Sequence, residues 1–434
     1  MYELTTTSEL LEKFLLHSYI STDSRKVMPG SLFFALKGDN FNANSFAEDA
    51  LKKGAAYAII DEPDKYINEH TLVVTDVLQA LQSLASLYRS ILKIPIIGIT
   101  GTNGKTTTKE LIATALSTRF SVVATPGNFN NHIGVPLTLL SIKPDTEVAV
   151  VEMGANHPGE IAHLCTIARP THGLITNIGK AHLEGFGGFE GVIKAKKELY
   201  DYLNAAGGRV FVNSGNELLM QLSADSYRTT YGLNDDDEVR GIPASNEEGY
   251  LTVSLKKPSV QNFSTNLAGS YNFENVMAAL CIAHQFRVDI ISAIDAIADY
   301  QPDMNRSQIK RTTSNLLVLD AYNANPSSMK IALENFNKMK ADNKVIILGD
   351  MFELGKESLA EHKVIVNLIE ELDFTKIYTA GPYFYKATDG NPRFKHYMST
   401  EELKLAIEKD TPENATILIK GSRGMKLETI TGLL

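Results

Sequence analysis

A glycine-rich segment with one lysine and three threonines, Gly101-Thr102-Asn103-Gly104-Lys105-Thr106-Thr107, is the part of the sequence that most directly suggests chemistry. It follows an apolar run, Ile94–Thr100, that predicts a buried parallel strand, and it leads into a helical pattern. At such a turn the backbone N–H groups face an anion, a lysine reaches the β- and γ-phosphates, and a threonine hydroxyl binds Mg²⁺. The segment therefore predicts the phosphate-binding loop of an ATP-using enzyme.

This loop differs from the strict P-loop pattern, which would have a glycine in place of Ile99. Glycines stand at positions 98 and 101 instead, so an ordinary switch or motor protein is disfavoured. A GTPase would also carry an Asn-Lys-x-Asp motif that reads the base. The nearest match, Asn337-Lys338-Met339-Lys340, lacks the aspartate.

Two further side chains, Glu152 and His182, are candidates because each lies at the end of a predicted strand. Glu152 lies in the apolar run Val148–Met153, where an unpaired carboxylate is costly unless a metal ion or a local Lys or Arg neutralises it. His182 follows the run Gly173–Ile178, and binding sites of α/β proteins form at the carboxyl ends of strands. A lone histidine is more often structural, so both interpretations stay open at this point.

Composition restricts the remaining classes of function. The chain has 434 residues and a net charge of −9, which favours two to four domains and argues against nucleic acid as a principal partner. Its two cysteines, Cys165 and Cys281, allow neither a disulfide framework nor a zinc motif. We find no signal-peptide pattern and no apolar run of the roughly 18 residues that a membrane span needs. We therefore expect a cytoplasmic protein.

The elements that would position these residues follow an α/β rhythm. Before about residue 85, strands Ser31–Leu36 and Ala56–Ile60 surround a helix at Phe46–Gly54, and Leu78–Leu92 is a second helix. In the middle, apolar runs including Arg209–Asn213 alternate with helical patterns, which indicates a doubly wound sheet. The alternation of predicted strands and helices begins again near residue 312. Its strands and helices are predicted at Leu316–Asp320, Ser328–Met339, Lys344–Gly349, Leu359–Glu371, Lys376–Ala380, Thr400–Lys409 and Thr416–Lys420, after a linker at Asp303–Thr313.

The sequence resembles the Mur ligase family over about Thr22–Leu427. The segment TGTNGKTT is similar to the loop of these ligases and of folylpolyglutamate synthetase. Segments EMGANHPGEI from Glu152, DAYNANP from Asp320 and LGDMFELG from Leu348 resemble the branch that joins D-alanyl-D-alanine to UDP-N-acetylmuramoyl-tripeptide. Thr125–Leu140, Asn177–Gly187 and Lys420–Met425 match that branch as well.

The resemblance implies three domains: residues 1–85 for the UDP-muramoyl-peptide, 86–311 for ATP, and 312–434 as a Rossmann-like C-terminal domain. The central domain is a doubly wound P-loop sheet, and the first is a small α/β module. The implied reaction is ATP-dependent amide formation through an acyl phosphate in the synthesis of peptidoglycan precursors. Its substrates would be UDP-N-acetylmuramoyl-tripeptide and D-alanyl-D-alanine. We expect a monomer with no nucleic-acid partner and no membrane insertion.

The resemblance also implies roles for individual residues. ATP would contact the loop Gly101–Thr107, with Asn272 and Asn275 at the adenine, Arg306 at the phosphates and Asp320 at the ribose. Two Mg²⁺ ions would be bound by Thr106, Glu152, His182 and Lys196, the last carbamylated by CO₂. Lys105 and Asn325 would act with them in catalysis. Substrate contacts are expected from Thr22, Ser24, Arg25, Asn40, Asn130, Asn131 and Arg423.

Simpler interpretations of these residues remain. Lys196 could be a solvated helix lysine, because Lys194 and Lys197 leave the register open. Asn272 could be a helix N-cap, and Arg306 or Asp320 could form a hinge salt bridge. The family's usual Gly-His is Ala43-Asn44 here, which weakens the expected contacts around Gly38-Asp39-Asn40.

Two other functions are compatible with the fold. A ligase that adds a single third amino acid to the UDP-muramoyl-dipeptide shares the first-domain motif but would be expected to lack NHPGEI and LGDMFELG. A catalytically silent binding protein is disfavoured because Lys105, Thr106, Glu152 and His182 are all present.

Overall fold

The computed structural model describes residues 3–38, 40–246, 249–303 and 306–434. Within these ranges the strands form three main sheets and one two-stranded ribbon. The sheets follow one another along the chain with no exchange of strands, so each is a separate layer with its own helices. Within the same ranges no helix is long and apolar enough to cross a membrane.

The first sheet is small and parallel, in the order β1-β2-β5-β6. Its strands are β1 (Ile20–Ser21), β2 (Leu32–Phe34), β5 (Tyr57–Ile60) and β6 (Thr71–Val73), while β3 (Lys37–Gly38) and β4 (Phe41–Asn42) form the two-stranded ribbon. The helices of this region are α1 (Thr7–His17), α2 (Ala47–Lys52) and α3 (Val77–Ile91). The helix predicted at Phe46–Gly54 is a 3₁₀ turn, Ala43–Phe46, followed by α2.

The central sheet has nine strands in the order β15-β14-β13-β12-β11-β10-β7-β9-β8. Its strands are β7 (Ile96–Thr100), β8 (Val122–Ala124), β9 (Val148–Glu152), β10 (His172–Ile175), β11 (Arg209–Asn213), β12 (Arg228–Gly232), β13 (Val239–Ser245), β14 (Tyr250–Lys257) and β15 (Gln261–Ala268). Its helices are α4 (Lys105–Ser117), α5 (Gly134–Leu140), α6 (Glu160–Ala168), α7 (Leu183–Phe186), α8 (Phe189–Ala206), α9 (Glu217–Leu222), α10 (Phe273–Gln285) and α11 (Ile290–Asp299).

Strands β7 to β13 run parallel, and β14 and β15 extend the sheet as antiparallel edge strands. The chain leaves β7 toward β8 and β9 on one side and toward β10 on the other. The carboxyl end of β7 is therefore the topological switch point where α/β proteins bind ligands. All five residues of β7 are buried, as expected for a parallel strand covered on both faces.

The third sheet has the order β16-β17-β21-β18-β19-β20 and is parallel except for β16. Its elements are β16 (Gln308–Arg311), β17 (Leu316–Leu319), α12 (Pro326–Lys338), β18 (Lys344–Gly349), α13 (Ser358–Glu371), β19 (Lys376–Ala380), α14 (Pro382–Thr388), β20 (Phe394–Tyr397), α15 (Thr400–Lys409) and β21 (Thr416–Lys420). The linker predicted at Asp303–Thr313 is wrong for β16, which pairs with β17. As an edge strand, β16 has a polar sequence, and for this reason the sequence pattern does not reveal it as a strand.

Candidate active site

A cavity of about 1200 Å³ lies between the central and third sheets, at the carboxyl end of β7. It collects most of the side chains expected to act on ATP and on the reacting carboxylate. The expected residues that line it are Thr102, Asn103, Gly104, Lys105, Thr106, Thr107, Asn130, Asn131, Glu152, His182, Asn272, Asn275, Arg306, Asp320, Asn325 and Arg423. Residues more than 300 positions apart therefore meet in one space.

The phosphate loop is held by the strand beside it. The Thr176 hydroxyl donates to the Asn103 carbonyl at 2.6 Å, and the Asn103 N–H donates to the Asn177 side chain at 3.0 Å. Gly104 is the residue before α4 and has a φ of 78°, a left-handed conformation that glycine adopts without steric cost. The first residues of α4, Lys105 to Thr107, line the cavity, which is the arrangement of an anion-binding helix start.

Lys105 folds back over its own loop. Its Nζ donates to the carbonyl of Gly101 at 2.8 Å and to that of Thr102 at 3.1 Å. Burial lowers the pKa of Lys105, the Arg306 charge adds to this, and Glu152 opposes it. An anion in the cavity would offer the ammonium the counter-charge that the two carbonyls supply only partly.

Glu152, the last residue of β9, is buried and only half satisfied. Its Oε1 accepts from the Asn130 side chain at 2.8 Å, whereas Oε2 is buried with no hydrogen-bond partner among the described residues. Pairing with a local Lys or Arg, the simpler interpretation, is therefore wrong for this carboxylate. A buried carboxylate oxygen without a partner suits a hard cation such as Mg²⁺.

Lys196 lies on α8 with only 3% of its surface exposed, so its interpretation as a solvated helix lysine is wrong. Its Nζ lies 5.3 Å from the centre of the Phe186 ring. Burial lowers the pKa of Lys196 to about 7, and the charge of Lys105 acts in the same direction. A large fraction of this lysine is therefore a neutral amine near neutral pH, which is the form that reacts with CO₂.

His182 contacts a carboxylate from the third domain. Its Nδ1 lies 2.5 Å from the Oε2 of Glu353, and this hydrogen bond lowers the pKa of Glu353 while burial opposes it. His182 is thus not a free cavity residue. Among the described residues, no three His, Cys, Asp or Glu side chains come close enough to hold a metal ion. A Mg²⁺ site would need the Thr106 hydroxyl and a carbamate on Lys196 besides Glu152 and His182.

The two asparagines expected at the adenine form a hydrogen-bonded chain. Asn275 accepts from the Thr108 hydroxyl at 2.9 Å and donates to the Asn272 side chain at 2.9 Å, and Asn272 donates to the Ala268 carbonyl at 2.8 Å. Asn272 precedes α10 but its side chain makes no capping bond, so the simple N-cap interpretation is wrong. These bonds fix both amides, and they hold that of Asn275 beside Gly104.

The charged residues at the domain junction do not pair across it. The Arg306 guanidinium stacks 3.5 Å from the centre of the Tyr322 ring, and its Nε is buried without a partner among the described residues. Asp320 pairs with the buried Lys420 of its own sheet at 2.6 Å. A hinge salt bridge between domains is therefore wrong for Asp320, and Arg306 keeps an unused donor at the cavity.

The third domain closes on the phosphate loop through Asn325. Its Nδ2 donates to the Asn103 side chain at 2.8 Å, while its Oδ1 caps α12 by accepting from Ser328 N–H at 2.9 Å. Arg423 donates to the Tyr322 hydroxyl at 3.3 Å on the same wall. Closure thus brings a third-domain amide into direct contact with the loop.

The expected UDP-sugar residues lie elsewhere. Thr22, Ser24, Arg25 and Asn40 belong to the first domain and do not line this cavity, and Asp39 lies outside the described residues. Arg25 is exposed and pairs with Asp23 at 2.8 Å. Gly101 and Lys196 are not among the residues that line this cavity.

Two charged residues that pair with expected site residues were not singled out individually by the sequence. Glu353 lies in LGDMFELG and Lys420 begins KGSRGM, so both segments were noticed while the individual side chains were not. Their partners, His182 and Asp320, are 171 and 100 residues away. The only local signal was the grouping of polar residues directly after the buried strands β18 and β21.

Three family profiles match successive parts of the chain. Residues 17–89 match the profile described as Mur ligase family, catalytic domain; residues 99–283 match the Mur ligase middle domain; and residues 305–423 match the Mur ligase, glutamate ligase domain. The matched segments correspond to the three sheets in order.

Curated relatives match nearly the whole chain. A UDP-N-acetylmuramoyl-tripeptide–D-alanyl-D-alanine ligase of Bacillus subtilis is 35% identical, over 99% of this chain and 95% of that protein. The protein of the same name from Escherichia coli is 32% identical, over 96% and 93%. Among solved structures, MurF from Acinetobacter baumannii has a TM-score of 0.87 at 29% identity, covering 99% and 98% of the two chains. The MurF ligase of Thermotoga maritima in complex with ADP has a TM-score of 0.84 at 26% identity, covering 96% and 97%.

Proposed function

The chain belongs to the Mur ligase family, and on that premise we propose that it adds D-alanyl-D-alanine to UDP-N-acetylmuramoyl-tripeptide. ATP drives formation of the amide bond, and the products are UDP-muramoyl-pentapeptide, ADP and phosphate in peptidoglycan precursor synthesis. The observation that carries this proposal is the shared cavity. It contains a phosphate loop, a buried carboxylate with an unpaired oxygen, and polar side chains of the third domain.

The reaction proceeds in two steps whose atoms balance. First, a carboxylate oxygen of the tripeptide attacks the γ-phosphorus, a C–O–P linkage forms, and the bond to the β-phosphate oxygen breaks to release ADP. Then the amine of D-alanyl-D-alanine attacks the acyl carbon, loses a proton, and displaces inorganic phosphate with the transferred oxygen. Two anions must approach each other in the first step, so positioned cations contribute most of the catalysis.

Lys105 provides the first cation: its Nζ is bonded here to the Gly101 and Thr102 carbonyls of the phosphate loop and would turn from them to the phosphates of ATP. We assign two Mg²⁺ ions to Thr106, Glu152, His182 and a carbamate on Lys196; bound there, the ions would neutralise charge on the phosphates. The depressed pKa and burial of Lys196 support the proposed carbamate, since only a neutral amine captures CO₂. A carbamate would replace the cation by an anion with oxygen donors, which suits Mg²⁺.

The other proposed contacts follow the walls of the cavity. Asn272 and Asn275 hold the adenine beside Gly104, and Arg306 turns its unpaired Nε to the phosphates. Asp320 binds the ribose, and Asn325 and Arg423 orient the dipeptide amine on the third-domain wall. Such contacts from two domains make closure a condition of catalysis.

The UDP-sugar end of the substrate is proposed to lie against the first domain, at Thr22, Ser24, Arg25 and Asn40. Its peptide then reaches the cavity past Asn130 and Asn131, which line the wall nearest Glu152. A monomer in the cytoplasm, where ATP and UDP-linked precursors are made, fits this assignment.

Release of phosphate tests the proposed function. We expect ATP turnover only when UDP-N-acetylmuramoyl-tripeptide and D-alanyl-D-alanine are both present, and a product heavier by the dipeptide less water. Parallel reactions would use tripeptides that end in diaminopimelate and in lysine. Turnover with UDP-muramoyl-dipeptide and a free amino acid would assign the chain to the single-residue branch. No turnover with any acceptor would indicate a silent binding protein.

A further inference from the structure

The segment Asp350–Gly355, here called the closure loop, reaches from the third domain to the central domain beside the active site. It follows β18 and contains most of the LGDMFELG motif. Its Glu353 is the residue whose Oε2 lies 2.5 Å from Nδ1 of His182. Both side chains line the cavity. The loop therefore touches the histidine assigned to Mg²⁺ from a different domain.

The closure loop is fixed within the third domain on several sides. Both carboxylate oxygens of Asp350 accept backbone N–H groups at the start of α14, each at 2.9 Å. The Met351 N–H donates to Nε2 of the buried His362 at 3.0 Å, and the Phe352 N–H donates to the Ser422 hydroxyl at 2.8 Å. The backbone around Glu353 is therefore held in place by several hydrogen bonds, although the Glu353 side chain itself is 57% exposed.

The two surfaces also fit at the level of the backbone. His182 has a φ of 50° and Glu353 a φ of 62°, so both partners adopt the left-handed conformation that side chains other than glycine rarely use. Such conformations persist where the surroundings impose them, and they concentrate at functional sites. Gly355, with a φ of 55°, lies so close to Glu184 that an added Cβ would be 3.2 Å from the Glu184 Cβ. The closure loop and the start of α7 are therefore shaped to each other.

The contact between Glu353 and His182 determines which ring nitrogen of His182 carries the proton. A carboxylate only accepts hydrogen bonds, so the Nδ1 that faces Glu353 carries the proton, and in the neutral ring the lone pair is on Nε2. Metal-binding histidines commonly donate their other ring N–H to a carboxylate in this way. We propose that Glu353 is a positioning residue that selects the Nδ1–H tautomer of His182 from across the domain junction and so leaves the Nε2 lone pair of His182 available to a metal ion.

This proposal rests on the proposed role of His182, and its principal test is independent of ligase activity. In the metal-free protein at about pH 8, where histidine is ordinarily neutral, ¹⁵N NMR of the imidazole identifies the protonated nitrogen. We expect His182 to have the Nδ1–H form in the wild type and to shift toward the Nε2–H form in Glu353→Ala. A wild-type His182 with its proton on Nε2, or a tautomer unchanged in Glu353→Ala, would overturn the proposal whether or not the chain is a ligase.

Two control variants separate positioning from general effects. Glu361→Gln removes the negative charge from another contact between domains, the 2.6 Å pair with Lys180, and Glu361 does not pair with His182. Glu238→Gln removes a carboxylate from His284, at 3.4 Å, far from the cavity. We expect both controls to keep the His182 tautomer.

The dependence of ligation on Mg²⁺ gives a second readout. Loss of a carboxylate behind a metal-binding histidine weakens metal affinity by about 10–100-fold. Glu353→Ala should therefore raise the Mg²⁺ concentration for half-maximal rate by about that factor, while saturating Mg²⁺ restores most of kcat. An equal rise in Glu361→Gln, or a loss of kcat that Mg²⁺ does not restore, would assign Glu353 to domain closure alone and contradict positioning.

Discussion

Replacement of Gly104 by alanine tests how the phosphate loop and the adenine-binding residues are joined. Gly104 has φ 78° and ψ −3°, and an alanine in this left-handed conformation costs about 1 kcal/mol. An added Cβ would also lie 2.7 Å from Oδ1 of Asn275. Asn275 is buried and cannot move without breaking its bonds to Thr108 and Asn272, each worth about 1 kcal/mol. We therefore expect Gly104→Ala to lower the free energy of unfolding by about 3 kcal/mol.

Gly159 provides a matched control because its backbone is almost the same. It also precedes a helix, with φ 85° and ψ −15°, but nothing lies within 4 Å of the Cβ that alanine would add. Gly159→Ala should therefore cost only the conformational part, about 1 kcal/mol. Urea unfolding compares the two variants, and calorimetric titration with ADP measures nucleotide affinity.

The displaced Asn275 should also weaken ADP binding in Gly104→Ala, by about tenfold if one hydrogen bond of roughly 1.4 kcal/mol is lost. Gly159→Ala should bind ADP as the wild type does. Equal destabilisation of the two variants, together with unchanged ADP affinity in Gly104→Ala, would refute the inference that Asn275 packs against the loop and contacts the nucleotide.

Four further predictions concern the reacting groups and the third-domain contact with the phosphate loop. The ¹³C signal of a carbamate formed from ¹³CO₂ should weaken as the pH falls below about 7, the pKa of buried Lys196, and be absent in Lys196→Met. Because the unfolded chain binds more protons at this lysine between pH 7 and 10.5, the free energy of unfolding in CO₂-free buffer should rise with pH across that range, and less so in Lys196→Met. Glu152→Gln keeps an acceptor for Asn130 but loses the negative charge. The kcat of ligation should therefore fall by about 10²–10³, while the thermal unfolding temperature changes little. A near-normal rate would contradict the proposed role of Glu152 in holding Mg²⁺. Asn325→Ser keeps the cap of α12 but is too short for Asn103, so both Asn325→Ser and Asn325→Ala should slow ligation, and only the alanine should also destabilise the fold by about 1 kcal/mol.

The parts of the fold that the sequence predicts well are those with strong local signals. Strands β11, β18, β19 and β21 have the predicted bounds, because each is a short apolar run between polar turns. The phosphate loop was equally visible, since its chemistry depends on consecutive residues. Strands β13 to β15 were not predicted, because they are half exposed and carry polar residues that are typical of loops.

The candidate site was predicted less completely because its decisive contacts join distant residues. The sequence indicates that Glu152 is buried, but only the structure distinguishes its bonded Oε1 from its unpaired Oε2. The register of α8 decides that Lys196 faces inward while its neighbour Lys197 is partly exposed, and spacing alone left both open. Pairs such as His182 with Glu353 depend on domain closure, which no local pattern encodes.

The fate of one oxygen atom tests the assignment as an acyl-phosphate ligase. UDP-N-acetylmuramoyl-tripeptide labelled with ¹⁸O in its reacting carboxylate would be incubated with ATP, Mg²⁺ and D-alanyl-D-alanine, and the released phosphate analysed by mass spectrometry. An attack of the carboxylate on the γ-phosphorus predicts one ¹⁸O atom in each phosphate, matched one to one with pentapeptide product. Unlabelled phosphate, or phosphate that takes its new oxygen from ¹⁸O-labelled water instead, would contradict the account.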